Sequence, residues 1–201
     1  MIRKTTLLIM IFALAFGLAG CHFVRHLASQ VDFPSSGDNF PVSENGFPVG
    51  IRHDDDRVIR LGMSRSEVEE VLGPVDLRPE HVAIVGHLEL VDIYYDGGGI
   101  IELVYNNDGK IIAIFLTETD SWAIASNIRP GLVDKTGMVL NRAFYNFEQI
   151  DWLPLTYAEF DQNGDVIYGV EVVFGDLFEI YAPVSTISIA NIPEFENREL
   201  R

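Results

Sequence analysis

Residues 90–95, 100–105 and 110–116 are three short runs rich in Ile, Val, Tyr and Phe. They are separated by Asp96-Gly97-Gly98-Gly99 and Asn106-Asn107-Asp108-Gly109. Apolar alternation bounded by Gly- and Asn-rich turns admits few folds, because side chains then point to alternate faces and the chain reverses tightly: the segment predicts an antiparallel meander. Just upstream, the signals are helical. Ser64 stands at the N-cap position, Glu67 three residues later completes a capping box, and Met63 is placed to staple Val68. Val68, Val71 and Leu72 share one face, and Gly73-Pro74 stops the helix, so a short amphipathic helix is expected over 64–72.

The same helix-then-strands pattern recurs. Sliding the chain against itself by 69 residues sets Ile59-Arg60-x-Gly62-Met63 on Ile128-Arg129-x-Gly131-Leu132. It also sets Asp92 on Asp161, Asp96 on Asp165, residues 101–105 on 170–174, Ile111 on Ile180, Ala113 on Ala182 and Thr117 on Thr186. Ten identities fall among the 62 positions from 58 to 119, against about four expected from such a composition. Apolar and acidic positions staying in phase through a helix start and a hairpin are what a duplication leaves behind. In the second copy, Gly137 replaces Val68 and no Gly-Pro stop follows, which predicts a looser helix, with strands near 155–160, 166–174, 177–182 and 184–189. One short helix on three strands buries little, so the expected fold class is α+β, two tandem helix-plus-meander repeats forming one continuous body.

Composition fits one folded body. With 48% apolar and 11% aromatic residues in 201, most of the chain buries enough surface to escape disorder. The 30 acidic against 14 basic residues, net −16, and the absence of a Lys/Arg cluster exclude a phosphate-backbone ligand, and with it a nucleic-acid role. A single cysteine cannot build a disulfide framework.

That cysteine has a specific setting. Arg3 and Lys4 precede an apolar run over 7–16, then Leu18-Ala19-Gly20-Cys21. The layout is that of a signal peptide, shorter than a spanning helix, and its end resembles the bacterial lipobox, in which the thiol receives diacylglycerol before cleavage. Residues 1–20 are expected to be removed and Cys21 lipidated, leaving 30 acidic and 12 basic residues, net −18. Several acyl chains, at about 0.8 kcal/mol per buried CH₂, make a stable anchor. His22, where an Asp would favour inner-membrane retention, points to the outer membrane, facing the periplasm.

From Cys21 to residue 57 no period persists, and Pro34, Pro41 and Pro48 recur every seven residues, each after a Phe. This reads as an extended tether whose phenylalanines pack loosely or are gripped by a partner. The repeats follow at 58–120 and 121–192, with a tail at 193–201.

Motifs for chemistry are missing from the sequence: it contains no G-x-S-x-G, Walker loop, G-x-G-x-x-G or H-E-x-x-H. Asp161-Gln162-Asn163-Gly164-Asp165 imitates the start of a calcium loop, but Val166 and Val172 stand where Gly and a bidentate Glu belong, so a hairpin turn is expected. His53 with Asp54, Asp55 and Asp56 reads as a solvated charge run, His81 and His87 fit no ligand spacing, and Glu69-Glu70 face different ways on a helix. Trp122 and Trp152 are expected in the core. Neither cofactor, metal nor small-molecule substrate is expected. The remaining pair is Glu102 and Glu171, each mid-strand among apolar neighbours and equivalent under the repeat. Alternation puts both on one type of sheet face, where they are either solvent-side residues or an acidic surface for a basic partner.

The run Gly62-Met63-Ser64-Arg65-Ser66-Glu67-Val68 with Leu72-Gly73-Pro74 resembles the signature G-M-[ST]-x-x-x-V…L-G-x-P of the SmpA/OmlA lipoproteins, the BamE group. The resemblance implies an outer-membrane lipoprotein with helices packed on a small antiparallel sheet, a non-catalytic accessory in envelope assembly. A tandem version is similar to the β-lactamase inhibitor protein fold, which binds an enzyme across a concave sheet. The expected function is thus protein binding at the membrane, the alternative being an acidic inhibitor or immunity protein against a cationic enzyme.

Overall fold

A computed structural model describes residues 40–79, 82–84, 87–96, 98–119, 121–124, 128–132, 144, 146–152, 155–175 and 183–196. They belong to one compact unit, Pro34–Arg201. The fold is α+β and mostly antiparallel sheet.

The helix forms where its signals lie. Helix α1, Arg65–Leu72, starts at Ser64, whose Oγ accepts from the Glu67 N–H while the Glu67 carboxylate accepts from the Ser64 N–H at 2.7 Å. It ends at Gly73, whose φ of +84° suits only a residue without Cβ. Val68 is fully buried, and Met63, Val71 and Leu72 pack around it.

Eleven strands are described: β1 Gly50–His53, β2 Val58–Arg60, β3 Val82–Ile84, β4 His87–Asp96, β5 Gly99–Tyr105, β6 Ile111–Thr117, β7 Trp122–Ala123, β8 Glu148–Trp152, β9 Leu155–Phe160, β10 Val166–Phe174 and β11 Val184–Asn191. A short helix α2, Ile192–Glu196, follows. Strands β2-β1-β7 form a small sheet, and the large one runs β3-β4-β5-β6-β11-β10-β9-β8. Four strands of the first half and four of the second thus lie in mirrored order about the β6/β11 pair, whose register includes Thr117↔Thr186, Phe115↔Ser188 and Ile114↔Ile189.

The two halves also share a turn. Gly62 N–H donates to Ile111 O, and Ile111 N–H to Met63 O; likewise Gly131 N–H donates to Val184 O, and Val184 N–H to Leu132 O. Both glycines have positive φ, at +82° and +84°. The turn and the β5/β10 pair keep the 69-residue spacing, whereas the strand after the turn begins at 111 in one half and at 184 in the other.

Constant spacing therefore fails elsewhere. Asp92 is a buried strand residue, while its sequence counterpart Asp161 sits in the β9–β10 turn. Thr117 and Thr186 face each other across the central pair, their hydroxyls 3.4 Å apart. The looser helix expected after Leu132 and the strand expected at 177–182 lie outside the described residues, as do Ile180 and Ala182.

The expected tether is corrected too. From Phe40 onward the chain is folded: β1 pairs with both β2 and β7, and Phe47 is fully buried, edge-on to Phe147 at 4.8 Å. The Phe40 ring lies beneath the Arg52 guanidinium. Residues 21–39, with Cys21, lie outside the described residues. The tail is corrected as well, because its first residues are α2. Strands β1, β2, β3, β7 and β8 have no counterpart among the expected elements.

One face of the large sheet carries the core. Tyr94, Ile101, Leu103, Ile114, Leu116, Val170, Val172, Ile187 and Ile189 point to it, and α1, Phe47, Ile51, Ile59 and Trp122 cover them. Each buried Leu or Ile contributes about 1.5–3 kcal/mol.

Candidate functional site

The opposite face is different, and strand register defines it. One cross-strand row reads Val91, Val104, Ala113, Ala190, Gly169, Ala158 from β4 to β9. Its second half is built of Ala and Gly, and α2 lies there. Phe195 packs on the cluster of Val91, Val104, Ile112 and Ala113, and a Cβ at Gly169 would stand 3.1 Å from Ile192 Cδ1. Glycine is needed because the helix comes so close.

The next row reads Ile93, Glu102, Phe115, Ser188, Glu171, Thr156. None of these six is fully buried. Glu102 and Glu171 therefore lie in the same row, as well as on the same face, three strand spacings or about 14 Å apart. Phe115 and Ser188 lie between them. A third row adds Tyr95, 59% exposed, Ile100, Thr117, Thr186 and Val173. These two rows hold two carboxylates and no lysine or arginine. An apolar centre between two acidic flanks can exclude water from a contact while selecting a basic partner by charge.

The small-residue row escapes a reading of the sequence, as does α2, although Asn191-Ile192-Pro193-Glu194 announces a helix start. The Glu194 N–H donates to Asn191 Oδ1 at 3.2 Å, and Asn106 Nδ2 ties the Glu194 carboxylate to the β5–β6 turn at 2.9 Å.

The other singled-out residues are built into the body. Asp92, fully buried on the core face, accepts from Arg78 Nε at 2.6 Å, Arg78 Nη2 at 2.9 Å and Arg65 Nε at 3.1 Å. Arg65 also stacks over the Tyr105 ring at 4.6 Å. The hydrogen bond to Asp92 holds the Arg78 guanidinium well above its ordinary range. Burial first, and the Asp92 charge second, push the Tyr94 phenol up to about 12 and that of Tyr105 still higher. Glu69 pairs with Arg78 at 3.3 Å, and Glu70 is exposed.

The charge run is a turn. Asp56 pairs with Arg52, and Asp54 with Arg129. Asp55 pairs with Arg57, whose hydrogen bond draws the carboxyl down to about 2. Arg57 reaches Asp96 at 2.8 Å, and Trp122 Nε1 donates to the same carboxylate at 3.2 Å. His53 meets the Trp122 ring edge-on. Asp161 closes its hairpin by accepting from the N–H groups of Asn163 and Asp165, and the Asp165 N–H lowers its carboxyl below the usual range. Trp122 is in the core, Trp152 ends β8, His87 opens β4, and His81 lies outside the described residues.

No protein-family model, curated protein or solved structure matches this chain.

Proposed function

We propose that the chain is a lipid-anchored, periplasm-facing accessory protein of a bacterial envelope, a duplicated helix-plus-meander unit that binds a partner protein across its open sheet face. The Leu18-Ala19-Gly20-Cys21 run supports the anchor. The likeness of 62–74 to the BamE group, the mirrored strand order and the matched Gly62 and Gly131 turns support the duplication. The observation that carries the function is the row Glu102-Phe115-Ser188-Glu171, in which strand register aligns two carboxylates 69 residues apart in sequence on either side of a partly exposed Phe. Its work is contact, without turnover.

Full-length chain carrying its Cys21 lipid, solubilised from envelopes, should retain a partner that Glu102→Lys with Glu171→Lys loses at least tenfold, both proteins unfolding at the same urea concentration. Retention unchanged by the double reversal would refute the assignment. The acidic surplus favours a second reading, an inhibitor or immunity protein of a cationic enzyme. For that role association should slow steeply between low salt and about 0.5 M, where charges more than a few ångströms apart are screened.

A further inference from the structure

We propose that the chain holds a saccharide-binding site at one end of the large sheet, a cleft of about 320 Å³ in which Asp108, Lys110 and Tyr168 take the hydroxyls of one or two sugar rings. The cleft lies apart from the open face. No residue of the row from Ile93 to Thr156 lines it, so its existence does not depend on the proposed function.

Local structure brings the polar groups together. In the β5–β6 turn, Asn106 Oδ1 accepts from the N–H groups of Asp108 and Lys110, each at 3.0 Å, which fixes the backbone of both residues beside the cleft. On the other side, Tyr168 of β10 and Asn191 of β11 are register partners. Glu194 joins the two sides, because its carboxylate accepts from Asn106 Nδ2 at 2.9 Å and from Asn191 Nδ2 at 3.4 Å. Leu61, which leads into the Gly62 turn, adds apolar surface that is only partly buried. Residues from both sides of the β6/β11 pair contribute, so the cleft forms only when that pair is joined.

What these groups leave unused points to the ligand. Among the described residues, the Tyr168 hydroxyl and the Asp108 carboxylate have no partner, and Lys110 Nζ reaches Glu67 at 3.6 Å, an ion pair longer than a hydrogen bond. The cleft thus offers an acceptor, a donor and a phenol that is both. A sugar hydroxyl also donates and accepts at once, so neighbouring hydroxyls on one ring satisfy this mixed set while the C–H face of the ring covers Leu61 and the Tyr168 ring. Two carboxylates, Asp108 and Glu194, line the cleft against one ammonium, which turns away phosphate and other anions. The volume lies at the small end of the roughly 300–1,000 Å³ spanned by ligand pockets, and it suits a mono- or disaccharide.

Amide NMR of the full chain, in detergent that carries no sugar, tests the site with glucose, N-acetylglucosamine and maltose added separately. At least one of them should produce saturable shifts centred on Asn106, Asp108, Lys110 and Asn191, with a Kd in the millimolar range or tighter. Tyr168→Phe should weaken that sugar about fivefold, the worth of one neutral hydrogen bond. Its urea midpoint should stay unchanged, because no group among the described residues uses the hydroxyl. Asp108→Asn, in an exposed turn, should weaken binding comparably, whereas about 0.5 M salt should not, since the ligand is neutral. Glu102→Lys with Glu171→Lys should spare the sugar, so that a lost partner and a lost sugar are separate results. Shifts with glycine or free lysine but with none of the three sugars, shifts centred elsewhere, no shifts at millimolar sugar, or full affinity in both variants would overturn the site.

Discussion

Ile114 and Phe115 are neighbours in β6, yet they live in different solvents. Ile114 is fully buried between Leu103 and Ile189, beneath α1 and the small sheet; Phe115 lies on the other face between Glu102 and Ser188, partly open to water. The strand pleat alone makes that difference, and everything else about the two faces follows from what covers them. Among the described residues the core face buries two carboxylates, Asp92, clasped by Arg65 and Arg78, and Glu159, which accepts from Asn45 Nδ2 at 2.6 Å. The open face carries Glu102 and Glu171 in one row with Ile93, Phe115, Ser188 and Thr156, none of them fully buried.

The sharpest way to break this contrast is to cut back both neighbours. Ile114→Ala should cost about 2–5 kcal/mol, since methylene groups are lost and a cavity is left. Phe115→Ala should cost about 1 kcal/mol, because part of its surface already meets water. Urea unfolding of the two variants measures the gap, and partner retention should show the reverse order. Equal destabilisation would mean that something covers the open face in the isolated chain.

Next in size is Arg78→Met. It removes two of the three guanidinium hydrogen bonds to Asp92 and leaves a fully buried carboxylate with Arg65 alone. Hydrogen bonds to buried charges carry about 1.5–3 kcal/mol each, but the Arg78 side chain is 43% exposed, so screening brings the expected loss to about 2–3 kcal/mol. Arg78→Met with Asp92→Leu should recover most of it, because the stranded charge is then gone. If the single variant loses less than about 1 kcal/mol, water reaches Asp92 and the core face is less sealed than its packing implies.

The two faces are unequally legible in the sequence. Helix α1 can be read outright because Ser64, Glu67, Val68 and Gly73 act within ten residues of one another. The meander is legible for the same reason: its turns are local. The fold of residues 40–57 is hidden, since β1 is four residues long and its partner β7 lies some seventy positions away; a Pro at every seventh position resembles a tether until Phe47 has somewhere to go. Nor does any local pattern tell that Arg65 and Arg78 converge on Asp92. For the open face, alternation suffices to put Glu102 and Glu171 on one side. Their alignment in a single row is beyond it, because that depends on the β6/β11 and β10/β11 registers. A constant 69-residue offset misplaces both of these: β5 and β10 keep it, whereas β6 begins at 111 and β11 at 184.

The smallest effect tests the seal on the core face through pH. Tyr94 stands beside Tyr95 in β4 and points the other way: Tyr94 is 2% exposed, Tyr95 59%. Burial, reinforced by the Asp92 charge, raises the Tyr94 phenol from 10.0 to about 12. A folded-state value above the unfolded one means that the stabilising contribution is complete below pH 10 and disappears as pH climbs toward 12. At pH 11 the unfolded chain has released this proton and the folded chain has kept it, a loss of about 1 kcal/mol. Urea midpoints at pH 8 and pH 11 should therefore diverge. Tyr94→Phe should narrow the divergence by about that amount while costing little at pH 8, because the hydroxyl has no hydrogen-bond partner among the described residues. Were Tyr94→Phe to leave the alkaline loss untouched, the phenol would have to be in contact with water, and the helix and small sheet would not close over β4 as tightly as the packing around Ile114 requires.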